Sequence, residues 1–380
     1  MLKIITFTVQ YPIFKKIRMK TSKLMLLFCL FTMASTSYLS AQQTGGIVYV
    51  DAKELTLIGK ANSTPHLYHR IDTLQYQKMP LAVKRLFTNS AGLGVVFKTN
   101  SDMISARWAT ANPKTGNNMT AIAHKGLDLY IKRDDKWIFA GVGRPTANST
   151  TAPVVQNMED GEKECLLYLP LYDEIKSLEI GVAEDSFIEP SVDPFRKKVL
   201  IYGSSITQGA SASRPGMAYP ARLSRKSGIN FINLGLSGNG KMEQSVADML
   251  TEIEADAYIL DCVANPSPDE ISQRTGYLVK TIRDRHPDAP IIMIQSVVRE
   301  SGNFDMKIKE RVAGQNKNFK LEFEKLKSAG IKNLYFIEGE LLGTDHEGTT
   351  DGVHPNDLGF DRILNVIDNP ILEILRQYGI

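Results

Sequence analysis

Residues 199–209 read VLIYGSSITQG, a continuous apolar run that breaks at a glycine and two serines. A strand apolar on both sides of its pleat belongs in a sheet covered on both faces. Four more such runs follow: FINLGLSG (231–238), AYILDCVA (257–264), PIIMIQSVV (290–298) and NLYFIEG (333–339). The gaps between them carry helical spacing over 217–227, 241–255, 268–285 and 307–329, and a last helix is expected over 357–377. Apolar strands alternating with amphipathic helices predict an α/β half, a parallel sheet with helices on both faces.

Upstream the grammar differs. Short alternating runs recur in GLGVVFKT (92–99), ISARW (104–108), LDLYIKRDDKWIFAG (127–141), ECLLYLPL (164–171) and LEIGVA (178–183), with polar clusters such as 111–118 and 143–153 between them. Tyr130 to Phe139 reads as a hairpin with Asp134 and Asp135 at its turn. No long helix interrupts these strands, so 42–190 is expected to form a β-sandwich. Glu189-Pro190-Ser191-Val192-Asp193-Pro194 has two prolines and no periodicity, and 191–197 reads as a linker to a domain over 198–380. Trp108 and Trp137 are expected in the sandwich core; a sugar-stacking platform is the alternative.

The chain has 380 residues, with 45 basic and 42 acidic side chains. Its length fits two domains, and its 43% apolar and 23% charged residues are ordinary for a globular protein. Residues 1–41 hold six basic side chains and no acidic one, which leaves 39 basic against 42 acidic in the remainder, a net of −3. No basic run there offers a nucleic-acid surface. Residues 19–41, MKTSKLMLLFCLFTMASTSYLSA, have two lysines, an apolar run from Leu24 to Ala34 and a small-polar end. That is the plan of a secretory signal peptide over 1–41, with Met19 a possible start. The run is short for a membrane span, and Phe28 before Cys29 argues against a lipoprotein anchor. An exported protein without a stable membrane anchor is expected. Cleavage would leave Cys165 and Cys262, each in an apolar strand-like run. Buried thiols in separate cores is the favoured reading, and a disulfide is the alternative.

In an open parallel sheet, ligands bind outside the carboxyl ends of the strands. Gly203-Ser204-Ser205 follows the first strand, Leu236-Ser237-Gly238-Asn239-Gly240 the second, and Asn265 the third; Asp351-Gly352-Val353-His354-Pro355 precedes the last helix. A serine nucleophile needs a base within hydrogen-bond reach. Of six histidines, His354 alone lies in a late α/β loop with an acid three residues before it. A glycine N–H after the second strand and an asparagine amide after the third could hold an oxyanion beside the serine.

These blocks resemble, in order, the four signature blocks of SGNH/GDSL esterases, over most of 198–370. The resemblance implies a flavodoxin-like parallel sheet and Ser205 as nucleophile. It implies Asp351 and His354 as acid and base, and Ser205 N–H, Gly238 N–H and Asn265 as oxyanion donors. It departs from the family at Ser204, where an aspartate is usual, and at Val263, where a glycine is usual. Gly126-Leu127-Asp128-Leu129-Tyr130 resembles the motif of the GxDLY domain that precedes some of these hydrolases, implying a jelly-roll-like sandwich. Arg214 and Met217 are weaker candidates for substrate contact, and the β-domain is expected to wall the cleft.

Each residue also has a bland reading. Ser205 could be a helix N-cap, with Ser204 a rival nucleophile. Gly238 and Asn265 could be turn formers. Asp351 could be a surface carboxylate, and His354 a satisfied histidine. Asp345-His346-Glu347 looks metal-like, but adjacent side chains point in different directions. The glycine turns lack the lysine of a P-loop and the order of a dinucleotide fingerprint. The expectation is therefore a cofactor-free, metal-free serine esterase. Its substrate would be a small-molecule or polysaccharide ester, an acetyl ester on carbohydrate first. A lipid or aryl esterase, an acyltransferase with the same triad, and a non-catalytic glycan-binding protein are the alternatives. Oligomeric state is left open.

Overall fold

The structure, a computed structural model, describes residues 46–338, 341 and 345–380. The leader expected over 1–41 lies outside the described residues. The front half contains β1 (Ile47–Asp51), β2 (Thr56–Ile58), α1 (Leu81–Phe87), β3 (Gly94–Thr99), β4 (Ile104–Thr110), α2 (Ala121–Lys125), β5 (Leu127–Arg133), β6 (Lys136–Gly143), β7 (Ser149–Val155), β8 (Lys163–Tyr168), β9 (Ile175–Ala183) and β10 (Ile188–Pro190). One antiparallel sheet runs β1-β9-β4-β7, and the other runs β10-β3-β8-β5-β6 with β2 on β3. Asp134 and Asp135 both have positive φ, at 50° and 58°, as a two-residue hairpin loop of the primed type requires.

Period-two alternation explains the packing. Val95, Phe97, Leu127, Leu129, Cys165 and Leu167 point inward from one sheet to meet Ile104, Ala106, Trp108, Leu178 and Ile180 from the other. The opposite face of the β3-β8-β5 sheet presents Val96, Tyr130, Leu166 and Tyr168 to Phe195 and Ala221 of the second half. This sheet is thus covered on both faces, which is why its strands are nearly continuous apolar runs. Trp108 is 2% exposed in the sandwich core and donates Nε1–H to Lys125 O at 2.9 Å. Trp137 is half-buried and packs against the outer-face cluster instead. Cys165 and Cys262 are free and buried, in separate cores.

The second half comprises β11 (Arg196–Gly203), α3 (Ser205–Gln208), α4 (Tyr219–Ser227), β12 (Ile229–Gly235), α5 (Gln244–Thr251), β13 (Ala257–Asp261), α6 (Pro268–Arg285), β14 (Ile291–Ile294), α7 (Met306–Ser328), β15 (Leu334–Ile337) and α8 (Asp357–Gln377). The parallel sheet has the order β12-β11-β13-β14-β15, a flavodoxin-like arrangement. Leu200, Tyr202, Leu234 and Leu260 meet α5, α6 and α7 on one face. Val199, Ile201, Phe231 and Ile259 meet α4 and α8 on the other. Ser267 and Glu270 close a capping box at the start of α6.

Two features depart from the sequence reading. Ile71, Met79, Val83 and Phe87, from the segment around α1, complete the α/β core beside α5 rather than the sandwich. The stretch read as a linker is also shorter than 191–197: the front sheet runs to Pro190, where Ile188–Pro190 pairs with Phe97–Thr99, and β11 begins at Arg196. Pro190 is tolerated because it ends an edge strand. No described helix is long and apolar enough to cross a membrane.

Candidate active site

Strand β11 ends at Gly203, where a Cβ would meet Thr207 Oγ1 at 1.8 Å; glycine is what lets α3 fold back onto the strand. Ser204 is the N-cap, its side chain accepting from Ile206 N. The capping role considered for Ser205 therefore falls on its neighbour, and Ser205 is left for other partners. Its Oγ lies 3.0 Å from His354 Nε2. His354 Nδ1 in turn lies 2.8 Å from Asp351 Oδ2. With Nδ1–H donated to the carboxylate, Nε2 is the acceptor and the serine hydroxyl donates.

Asp351 has several donors. Its Oδ1 accepts the backbone N–H of Val353 at 3.1 Å and of His354 at 2.8 Å, a local turn that fixes the three-residue spacing. Its Oδ2 also accepts from Asn118 Nδ2 at 3.0 Å. Burial alone would raise this carboxyl. The His354 N–H, the imidazole and the Asn118 amide outweigh it and hold the group down at about 2. Asn118 comes from the polar loop before α2, in the front half, and nothing in the sequence marks it out. A lone asparagine within a Gly/Pro/Asn cluster carries no signal of its own.

The turn after β12 is pinned to the nucleophile turn. Leu236 N donates to Gly203 O at 3.0 Å, and Ser237 N donates to Gln208 Oε1 at 3.0 Å. Gly238 has φ +66° with open space where a Cβ would stand. Its N–H makes no hydrogen bond among the described residues. Asn265 Nδ2 bonds Asn239 O and, at 3.4 Å, Leu236 O, so its amide faces the same turn. At the end of β13, Asp261 accepts from Thr207 Oγ1 at 2.7 Å and Tyr219 OH at 2.9 Å. Burial raises its carboxyl to about 6 against those two bonds. It ties α3 to α4.

Arg214 and Met217 are corrections. Arg214 does not line a free wall: its Nη1 donates to Asp128 Oδ1 and Oδ2 at 2.9 and 2.8 Å. It also reaches the Tyr130 hydroxyl. Asp128, fully buried, takes Gly216 N–H as well, at 2.7 Å. The buried carboxylate of the Gly126–Tyr130 motif therefore captures the arginine for a joint between the halves. The flanking Leu127 and Leu129 fill the sandwich core. Met217 packs into the apolar core beside α4 and α8. In the metal-like triplet, Asp345 pairs with Arg362 and His346 Nδ1 lies 3.0 Å from Asn303 Nδ2.

The front half reaches the site at several points. Besides Asn118, Tyr172 donates its hydroxyl to Ser205 O at 3.3 Å. Arg70, fully buried, donates to Asn233 O at 3.1 Å and Gly235 O at 2.8 Å, bracing the end of β12.

Comparison with known proteins gives the family and the fold. The profile of the GDSL-like lipase/acylhydrolase family matches residues 196–372. That of the GxDLY domain, described as the N-terminus of SGNH-hydrolase-type esterases, matches 47–188. Among solved structures, the chain is similar to a GDSL-like lipase from Bacteroides ovatus, with 59% identity and a TM-score of 0.86, covering 87% of this chain and 98% of that one. It shares its fold with a salicylyl-acyltransferase from a tetracycline biosynthetic pathway, at 18% identity and TM-score 0.68, covering 86% and 97% of the two chains. It also shares its fold with a family two carbohydrate esterase from Cellvibrio japonicus, at 11% identity and TM-score 0.58, covering 87% and 99%. No curated protein matches the chain. The protein is thus an ester-bond hydrolase that belongs to the GDSL-like lipase/acylhydrolase family and carries the GxDLY domain at its front.

Proposed function

We propose that the protein is an exported serine esterase that removes acyl groups, acetyl first, from carbohydrate. The observation that carries the mechanism is the unbroken line from Ser205 Oγ to His354 Nε2 at 3.0 Å and from His354 Nδ1 to Asp351 at 2.8 Å. Ser205 Oγ attacks the ester carbonyl carbon while its proton passes to His354 Nε2. Asp351, already an anion, stabilises the imidazolium without taking its proton. The negative oxygen of the tetrahedral intermediate is met by the N–H groups of Ser205 and Gly238 and by Asn265 Nδ2. The 3.4 Å bond from Asn265 to Leu236 O is weak enough to yield to that oxygen. His354 then protonates the leaving alcohol. Water, deprotonated by the same imidazole, adds to the acyl carbon, and His354 returns that proton to Ser205 Oγ as the bond to serine breaks and the acid leaves.

Carbohydrate as the alcohol part is supported by the fold shared with carbohydrate esterases and by a leader of secretory type at residues 19–41. The test is turnover on acetylated oligosaccharides and on p-nitrophenyl esters of rising chain length, for the wild type and for Ser205→Ala. Acetyl esters should be fastest, and the variant should lose about 10³–10⁶-fold in kcat. Preference for long acyl chains would replace this substrate, and an active Ser205→Ala would replace the mechanism.

A further inference from the structure

The carboxyl edge of the parallel sheet presents Gly238, Ser205 and Asn265 after β12, β11 and β13, and the chain beyond β15 brings in Asp351 and His354. Only the end of β14, between these groups, has no part in the proposed mechanism. The turn that follows it carries Arg299 and packs on the loop of Asp351 and His354. Ser301 N donates to Gly352 O at 2.9 Å, and Glu300 accepts Gly348 N–H at 2.8 Å and the Thr349 hydroxyl.

Arg299 Nη2 donates to Ala264 O at 2.7 Å. Arg311, on α7, donates Nη2 to Asn265 O at 3.2 Å. Two guanidinium groups thus flank consecutive carbonyls, the second belonging to the asparagine assigned to the oxyanion. Neither arginine has a carboxylate partner among the described residues. Their charges oppose one another. Burial first, then the Arg311 charge, holds Arg299 below the usual arginine range, while Asp351 acts the other way.

Carbonyl capping alone does not account for Arg299. Gln315 Nε2 already serves Ala264 O at 3.3 Å and Pro266 O at 2.6 Å without a charge. Holding two cations together, with no described carboxylate in ion-pair contact with either, is unfavourable. The planar donors left over on each guanidinium match a carboxylate two at a time.

We infer that Arg299 and Arg311 form an anion subsite beside the scissile ester, so that the preferred substrate carries a carboxylate next to the acylated position, as an O-acylated acidic sugar does. This rests on the esterase reading of Ser205, His354 and Asp351.

The test compares kcat/KM for an O-acetylated hexuronate with that for its C6 amide, in which the charge is removed and one acceptor oxygen becomes an NH2 donor. p-Nitrophenyl hemisuccinate and p-nitrophenyl acetate serve as the pair that places a carboxylate on the acyl side instead. The hexuronate should be preferred over its amide by about 10- to 100-fold, the strength of charge-assisted hydrogen bonds, and the ratio should fall with salt. Arg311→Gln should bring the ratio towards one and Arg311→Glu below it. Because Arg311 is exposed, these variants test the subsite even where Arg299→Gln fails to fold. Equal rates on hexuronate and amide, or a ratio that Arg311→Gln leaves unchanged, would overturn the subsite. A charge preference confined to the hemisuccinate pair would overturn the acidic-sugar assignment. Failure to cleave any ester, p-nitrophenyl acetate included, would overturn the esterase reading and this inference with it.

Discussion

Replacing Asn118 with alanine removes one donor from Asp351 and leaves the rest of the Ser205–His354–Asp351 line intact. Asp351 Oδ2 accepts from His354 Nδ1 at 2.8 Å and from Asn118 Nδ2 at 3.0 Å. A hydrogen bond to a charged group contributes about 1.5–3 kcal/mol when water cannot replace it. The Asp351 side chain is 34% exposed, so water takes over part of the role. The net loss should be about 1 kcal/mol, or roughly five-fold in kcat with KM little changed, because a well-aimed imidazole matters most in the transition state. Asn118→Asp should be worse, since it sets a second carboxylate against Asp351. Stability gives a second readout. A carboxyl held at about 2 in the folded protein contributes stability that is present above the ordinary carboxylate range and lost as pH falls from that range to about 2. Loss of Asn118 moves Asp351 back towards that range, so acid unfolding should begin at higher pH in the alanine variant. Steady-state kinetics on p-nitrophenyl acetate from pH 5 to 9, with acid unfolding followed by circular dichroism, measure both. Wild-type kcat together with an unchanged acid transition would refute a role for Asn118 in the site.

Asn265→Ala should lower kcat by about 10²–10³-fold with a small effect on KM, as loss of an oxyanion donor does; wild-type kcat would remove Asn265 from the site. Asp128→Asn leaves Arg214 without its anion in a setting where the carboxylate is fully buried. Breaking such a pair should cost about 3–5 kcal/mol, read from denaturant unfolding, and unchanged stability would deny the joint its importance. A chain beginning near Phe195 should be insoluble or slow even on small esters, because it lacks Ile71, Val83 and Phe87 of the α/β core and uncovers apolar surface. A soluble, folded and fully active truncation would show that the front half is a tethered module.

The parallel half was legible because its strands are covered on both faces, which writes them as unbroken apolar runs such as 199–202, with amphipathic helices between. The hairpin at Asp134–Asp135 was legible because its turn needs residues that tolerate positive φ. The residues at the strand ends were legible because each signature is local. Ser205 is next to Ser204, and Asp351 is three residues from His354. Contacts between distant segments left no such trace. Asn118 meets Asp351 across 233 positions, and nothing in a polar loop says which amide will arrive there. Arg214 was misjudged for the same reason: near the nucleophile in sequence, it is claimed by Asp128, 86 positions away. The segment around α1 read as part of the β half because of where it lies in the chain. Its apolar face belongs to the α/β core, and so short a helix does not declare which sheet it will cover.

The most direct test of the central claim is to treat the full-length protein with a serine-directed phosphonate and locate the adduct by peptide mass spectrometry. Loss of esterase activity should track a single adduct on Ser205, the hydroxyl 3.0 Å from His354 Nε2, and His354→Ala should slow its formation. An adduct on Ser204, or inactivation without any adduct at Ser205, would contradict the account.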